Sequence, residues 1–259
     1  MSAPTPLLDF FKRGEVARDV RLLAAQGALA PRAHEQLSIL VLLLEDADPE
    51  IRRVADTTLG RIPVEALQAF LGRPDVPIGL REYFGDHGIF PSEIPTITID
   101  EDDALIETEP EASDEEEAPA DPQTMHERLA RMGFTERLRA AMKGTREIRA
   151  ILIRDSNKMI AAAVLSSPKV TGHEIENFAR MANVSEDVLR VIASNRAWTK
   201  QYGVILGLVK NPKTPVALSL NLMARLNARD VAGVSTDRNV PEALRIAARK
   251  KVVANVSGR

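Results

Sequence analysis

Arg154-Asp155-Ser156-Asn157-Lys158 opens a sequence pattern that recurs at intervals of 42 residues, at Arg196-Ala197-Trp198-Thr199-Lys200 and at Arg238-Asn239-Val240-Pro241-Glu242. Each arginine precedes an apolar run that predicts a helix. These runs are Met159–Leu165, Tyr202–Val209 and Leu244–Val253. A period near 42 with two or three helices per unit is typical of helical repeat proteins. A helical hairpin cannot bury its own apolar face, so we expect neighbouring units to stack and share one core.

The turns that follow the first two apolar runs also match. They read SSPKVT at 166–171 and KNPKTP at 210–215. In the first turn, Thr171 and Glu174 have the spacing of a capping box. In the second turn, Thr214 is placed to cap the next helix. Both turns therefore predict the start of a new helix.

A second amphipathic helix and a short third helix complete each predicted unit. The second helices contain Ala179-Arg180-Met181 and Ala224-Arg225-Leu226, and the third helices cover Glu186–Ala193 and Arg229–Val234. The glycines of Gly203-Val204-Ile205-Leu206-Gly207 predict a close approach between two helices. We expect Trp198, the only tryptophan, to pack between units.

The first 95 residues predict short helices separated by turns. The run Leu37–Leu44 is apolar almost all round and predicts a buried helix, with a buried strand as the alternative. Gly27 is placed to end the preceding helix in the left-handed conformation. Two further helices are predicted at Val64–Leu71 and Ile78–Phe84.

One N-terminal segment, at residues 46–55, resembles the start of the second helix of a HEAT repeat. Asp48 can cap this helix and Pro49 can begin it. The matching positions are Asp46 or Asp48, Ile51, Arg52 and Ala55. The resemblance implies that the Asp and Arg tie the turn between helices to a neighbouring repeat. The C-terminal repeats are similar to HEAT-like and leucine-rich-variant-like bacterial repeat proteins, although they lack this Asp-x-x-Pro-x-x-Arg motif.

Charge divides the chain into three segments. Residues 1–95 carry a net charge of −4, residues 96–122 carry 12 acids and no base, and residues 123–259 carry 24 bases and 11 acids. The middle segment is too rich in charge to bury a core, so we predict a disordered acidic linker. Ile94–Asp100 alternates apolar and polar residues, which predicts either a strand added to a partner's sheet or a piece packed on the preceding helix. The expected fold is therefore all-α, with two short solenoid lobes, 1–95 and 123–259, joined by the linker 96–122.

Composition favours binding over catalysis. The chain has no cysteine, which excludes disulfides and thiolate chemistry. No metal-ligand spacing, phosphate-binding glycine loop or nucleophile motif is present, so we expect no metal, no cofactor and no enzyme activity. No apolar run is long enough for a membrane span and no signal peptide is visible, so we expect a cytoplasmic protein. The four histidines, predicted to be surface residues, are His34, His87, His126 and His173.

The basic C-terminal lobe is the predicted binding surface. Its candidate partner-binding residues are Arg154, Arg196, Lys200, Arg225, Arg229, Arg238, Arg245, Arg249, Lys250 and Lys251. A ladder of cations can follow an acidic protein segment or a phosphate backbone. We expect a protein-binding adaptor or scaffold whose own acidic linker competes for this surface. Sequence-independent nucleic-acid binding is the alternative function, and hydrogen bonding of the arginines to carbonyls of neighbouring repeats is the structural alternative.

Overall fold

The computed structural model describes residues 6–29, 31–74, 76–92 and 122–257, with side chains of the last range described from 125 to 254. Within these ranges the chain is all-helical and contains no strand. The prediction of an all-α protein is therefore confirmed. The predicted linker, apart from Pro122, and the strand-like segment Ile94–Asp100 lie outside the described residues.

The described chain divides into two compact units. The first contains residues up to Leu152 together with Met159–Lys169, and the second contains Ile153–Lys158 and the chain from Val170 onward. Helices of the first unit are α1 Pro6–Lys12, α2 Arg18–Ala25, α3 Ala33–Leu43, α4 Pro49–Leu59, α5 Val64–Leu71, α6 Ile78–Asp86, α7 Pro122–Arg131, α8 Phe134–Lys143, α9 Arg146–Leu152 and, from Met159 onward, α10 Lys158–Ser166.

Helices of the second unit are α11 Gly172–Arg180, α12 Glu186–Ser194, α13 Tyr202–Lys210, α14 Val216–Met223, α15 Ala228–Thr236 and α16 Glu242–Ser257, with a short 3₁₀ helix at Trp198–Lys200 before α13. Helix α13 packs against α11, α14 and α15, and α16 packs against α14 and α15. The starts of α10, α11 and α12 recur at α13, α14 and α15 with offsets of 44, 44 and 42 residues. The predicted helix order of the repeat is thus present, whereas the solenoid arrangement stays a prediction.

Local sequence signals explain most helix boundaries. Leu37–Leu43 is helical as part of α3, so the alternative of a buried strand is wrong. Gly27 follows α2 with φ +76°, as predicted for a left-handed stop. Thr171 and Glu174 form the predicted capping box at α11. Trp198 is buried, as expected for a packing residue.

The predicted cap at Thr214 is wrong. Helix α14 begins after Pro215. Pro215 is therefore the N-cap residue, and no side chain caps the helix. The Thr214 hydroxyl is instead buried and, within the described part of the chain, has no hydrogen-bond partner. A sequence pattern identifies a residue that is able to cap, but the side-chain rotamer chosen by packing decides whether it does.

Ion pairs hold the turn between α3 and α4. Asp48 caps α4 by accepting from the Glu50 N–H at 2.9 Å, and Arg18 of α2 lies 2.7 Å from the same carboxylate. The Glu50 hydrogen bond, followed by the Arg18 guanidinium, lowers the pKa of Asp48. Arg21, also on α2, lies 2.9 Å from Asp46.

Arg52, the arginine of the HEAT-like motif, donates to the Asp46 carbonyl at 2.5 Å and to the Ala47 carbonyl at 3.2 Å. The two aspartates of the motif therefore tie the turn to a neighbouring helix. Arg52 instead bonds to carbonyls of its own turn and reaches no neighbouring helix through these bonds.

A buried carboxylate holds helix α1 in the first unit. Glu35, on α3, is 1% exposed and accepts from the backbone N–H groups of Leu7 and Leu8 at 2.8 and 2.9 Å. Burial raises the pKa of Glu35 to about 6, against the opposing effects of the Ser166 hydroxyl, these two N–H groups and Arg32. This carboxylate satisfies donors at the start of α1 that the helix itself cannot.

Arg32 lies just before α3 and is also buried. Its guanidinium donates to the Leu165 carbonyl at 2.8 Å, and its backbone N–H donates to the Ser166 carbonyl at 3.3 Å. Arg32 thus satisfies carbonyls at the end of α10. Residues on both sides of segment 93–121 therefore share the core of the first unit.

Candidate partner-binding surface

Helix α13 lies at the centre of the second unit because two glycines let it approach α11. A Cβ at Gly203 would lie 2.3–2.5 Å from the Glu176 carboxyl group, and one at Gly207 would lie 3.1 Å from Cγ of Arg180 and 3.2 Å from Cβ of Ala179. A larger side chain at Gly207 would press on Ala179 of α11, whereas one at Gly203 would displace the Glu176 carboxyl group. The predicted close approach of helices at this glycine pair is confirmed.

Side chains from later helices satisfy the carbonyls at the ends of earlier ones. The Asn211 amide is buried and donates to the carbonyls of Ala179 and Met181 at 2.9 and 3.0 Å. Its side-chain oxygen accepts from the Lys213 N–H at 3.0 Å. Both the nitrogen and the oxygen of the Asn211 side chain are therefore hydrogen-bonded, and they hold the turn after α13 against the end of α11.

Three of the predicted partner-binding residues make similar bonds. Arg225 donates to the Thr199 carbonyl at 2.6 Å and Arg249 donates to the Ser235 carbonyl at 3.2 Å. Lys251 donates to the carbonyls at the end of α14, the nearer being Met223 at 3.1 Å. These cations have the structural role that the sequence left open as the alternative.

The other predicted cations fall into two groups. Arg154 and Arg245 are half-buried. The exposed group, defined here as the free cations, has side chains that make no hydrogen bond or ion pair within the residues that the structure describes. Its members are Arg196, Lys200, Arg229, Arg238 and Lys250.

The carboxylates of the second unit are mostly engaged locally, which explains why its cations dominate the surface. Asp187 pairs with Lys158 at 2.7 Å, and Glu186 pairs with Arg190 one turn along α12 at 2.5 Å. Asp230 accepts from the Tyr202 hydroxyl, and this bond raises the pKa of Tyr202.

A groove of about 780 Å³ opens on this unit, and we call it the α13 groove. It is lined by Arg180, Ala182, Leu206, Gly207, Lys210, Asn211, Pro212 and Asn239. Two of these residues are cations and none is acidic. Arg180 belongs to the motif Ala179-Arg180-Met181 and Lys210 to the turn 210–215, but neither is among the predicted partner-binding residues. Arg180 recurs as Arg225 in the next unit, whereas the counterpart of Lys210 in the first turn is Ser166, so no recurring signal marks Lys210.

The first unit has a groove of similar volume, about 790 Å³, which we call the α3–α4 groove. Its apolar wall is formed by α3 residues that include Val41 and Leu42. Lys12 and Arg53 line it, but so do Glu45 and Asp56. This groove therefore has both signs of charge.

No family model, curated protein or solved structure matches the chain. Among the described helices, none combines the length and the hydropathy required to cross a bilayer.

Proposed function

We propose that the protein is a non-enzymatic, HEAT-like helical-repeat adaptor of the cytoplasm. The basic surface of residues 123–259 binds an acidic segment of a partner protein. The chain's own acidic segment, residues 96–122, competes for that surface. A partner with a more complementary acidic segment then displaces it.

The free cations are the observation that supports this proposal. A cation that donates to a carbonyl has fewer N–H donors left for a ligand and is held in one orientation, whereas a free cation keeps all its donors for a ligand. Half of the ten cations predicted from the sequence belong to this group. Long-range attraction between such a surface and an acidic segment also speeds association at low salt.

Deletion of residues 100–121 tests the proposal. The probe is a fluorescently labelled peptide with the sequence of residues 96–117, which contains eleven acids and no base. We expect the deletion to tighten binding several-fold at about 50 mM salt because it removes a tethered competitor. A chain of unchanged length, with the acids of 100–121 replaced by their amides, is the control and should show the same gain. Equal affinities of all three chains at low salt would contradict competition.

A gel-shift assay with the same chains separates a protein partner from nucleic acid. A phosphate-binding surface would bind DNA of any sequence, with an affinity that falls steeply as salt rises. We expect the peptide to bind more tightly than a DNA duplex at equal salt. The reverse order would replace the proposed partner with nucleic acid.

A further inference from the structure

The α13 groove has features that the free cations alone do not provide. Its floor contains the apolar residues Leu206 and Pro212, and its cations are Arg180 and Lys210. Lys210 is exposed at the last turn of α13, and Arg180 is exposed at the end of α11, where it also pairs with Glu176. Basic and apolar groups therefore lie within one concavity.

The walls of this groove are fixed by the fold. Gly207 lets α13 approach α11, because it has no Cβ to press against Ala179 and Arg180. The two hydrogen bonds from the Asn211 amide then tie the start of the following turn to the end of α11. A groove held in this way needs little rearrangement to bind a ligand, which reduces the entropic cost of association.

The charge of the lining distinguishes this groove from the α3–α4 groove of the first unit. In the α3–α4 groove, Glu45 and Asp56 would repel an anionic ligand. The α13 groove has no acidic residue in its lining. An anionic ligand therefore meets carboxylates of the lining itself in the α3–α4 groove, where Lys12, Arg52 and Arg53 also lie. In the α13 groove the described lining contributes no carboxylate, and Glu176 beside it is paired with Arg180.

We propose that the α13 groove is the docking site for an acidic, extended segment of the partner protein. A carboxylate of the segment pairs with Lys210, whose ammonium group has no partner among the described residues, and an apolar side chain beside it packs on Leu206. Arg180, which is paired with Glu176, borders the site. This inference rests on the proposed function, because it names the place on the basic surface where the acidic segment binds.

Charge reversal at Lys210 tests the site in the full-length chain whose acids at 100–121 are replaced by amides, so that no tethered competitor occupies the groove. The labelled peptide 96–117 is titrated into this chain and into its Lys210→Glu and Lys250→Glu variants, with binding followed by fluorescence anisotropy at about 50 mM salt. Both lysines are exposed helix residues, but only Lys210 lines the groove. We expect Lys210→Glu to weaken binding about tenfold, since it replaces an attraction with a repulsion. We expect Lys250→Glu to weaken binding only about two- to threefold, because it lowers the long-range attraction of the basic surface without removing a contact in the groove.

The outcomes separate the two proposals. Equal weakening by both variants would show that binding is spread over the basic surface, which overturns the groove and leaves the proposed function standing. Binding that neither variant weakens would place the peptide elsewhere and would also overturn the groove. Failure of the chain with amides at 100–121, which lacks the tethered competitor, to bind the peptide at low salt would overturn the proposed function itself.

The absence of native cysteine permits a second, positional test. Ala182→Cys places an environment-sensitive fluorophore at the groove, and Ala228→Cys places the same fluorophore on α15; both alanines are exposed. The test uses the chain lacking residues 100–121, so that only the added peptide can occupy the groove. We expect the emission to shift on peptide addition at position 182 and to stay constant at position 228. A shift at position 228 alone would contradict docking in the groove.

Discussion

The two units of this protein have grooves of nearly equal volume, yet the grooves differ in charge. The α3–α4 groove is lined by both cations and carboxylates, whereas the α13 groove is lined by cations without carboxylates. Volume alone would rank these grooves as equal candidates for a ligand. The sign of the lining residues is what favours an anionic ligand in one of them.

The interiors of the units differ as well. The first unit buries Glu35 and Arg32, and its exposed Arg18 pairs with acidic residues of the α3–α4 turn. The second unit keeps its free cations at the surface. The second unit also uses charge internally, since it buries Glu174 and three of its cations donate to carbonyls. The units therefore differ in the free cations that the second one adds at its surface.

The largest predicted effect tests this difference through stability. Arg32→Met removes the donor to the Leu165 carbonyl and the cation that offsets the buried Glu35 charge. We expect the free energy of unfolding to fall by about 3 kcal/mol, measured by urea denaturation. The same substitution at the exposed Arg53 should change it by less than about 0.5 kcal/mol. Similar losses in both variants would contradict a structural role of the buried pair.

The second prediction concerns pH. The pKa of Glu35 rises from 4.5 to about 6 on folding, so the folded state binds more protons between these values. Stability from this group is fully present below pH 4.5 and is lost as pH rises through 6, with a total of about 2 kcal/mol. Glu35→Gln should remove this component of the pH profile of the free energy of unfolding. Glu65→Gln, at an exposed position of α5, should retain it.

The third prediction converts one groove toward the other. Glu45→Gln combined with Asp56→Asn removes both carboxylates from the lining of the α3–α4 groove. The cations Lys12, Arg52 and Arg53 remain. We expect this double variant to bind a second acidic peptide, so that the stoichiometry in calorimetry rises from one toward two per chain. Glu65→Gln combined with Glu82→Gln, which neutralises exposed acids outside the groove, should leave it at one. A stoichiometry that stays at one in both variants would show that lining charge is insufficient.

The smallest predicted effect concerns a single hydroxyl of the second unit. Because the Thr214 hydroxyl is buried and has no partner among the described residues, Thr214→Val should leave stability unchanged or raise it by up to about 1 kcal/mol. Thr199→Val removes a buried hydroxyl that donates to the Asn195 carbonyl at 2.9 Å and should lower stability by about 1 kcal/mol. Thermal unfolding of the two variants distinguishes a satisfied hydroxyl from an unsatisfied one.

Helix positions were predictable because their signals are local. The cap at Asp48, the capping box at Thr171 and the stop at Gly27 each depend on residues within a few positions of one another. Two of the groove residues, Arg180 and Lys210, lie in quoted motifs, but sequence spacing does not show that they line one concavity. The hydrogen bond from Arg32 to the Leu165 carbonyl was not predictable, since the two residues are 133 positions apart along the chain.

The amino-acid sequence alone determined the all-α class, the helix order and the separation of acidic from basic segments, because periodicity, capping and charge are properties of neighbouring residues. Only the tertiary structure decided which cations are satisfied by carbonyls and which face solvent. Arg225 and Arg229 are both exposed and look equivalent in the sequence, yet Arg225 donates to a backbone carbonyl and the Arg229 side chain has no partner among the described residues. The reason is physical, since a cation's availability depends on which helix ends are packed beside it.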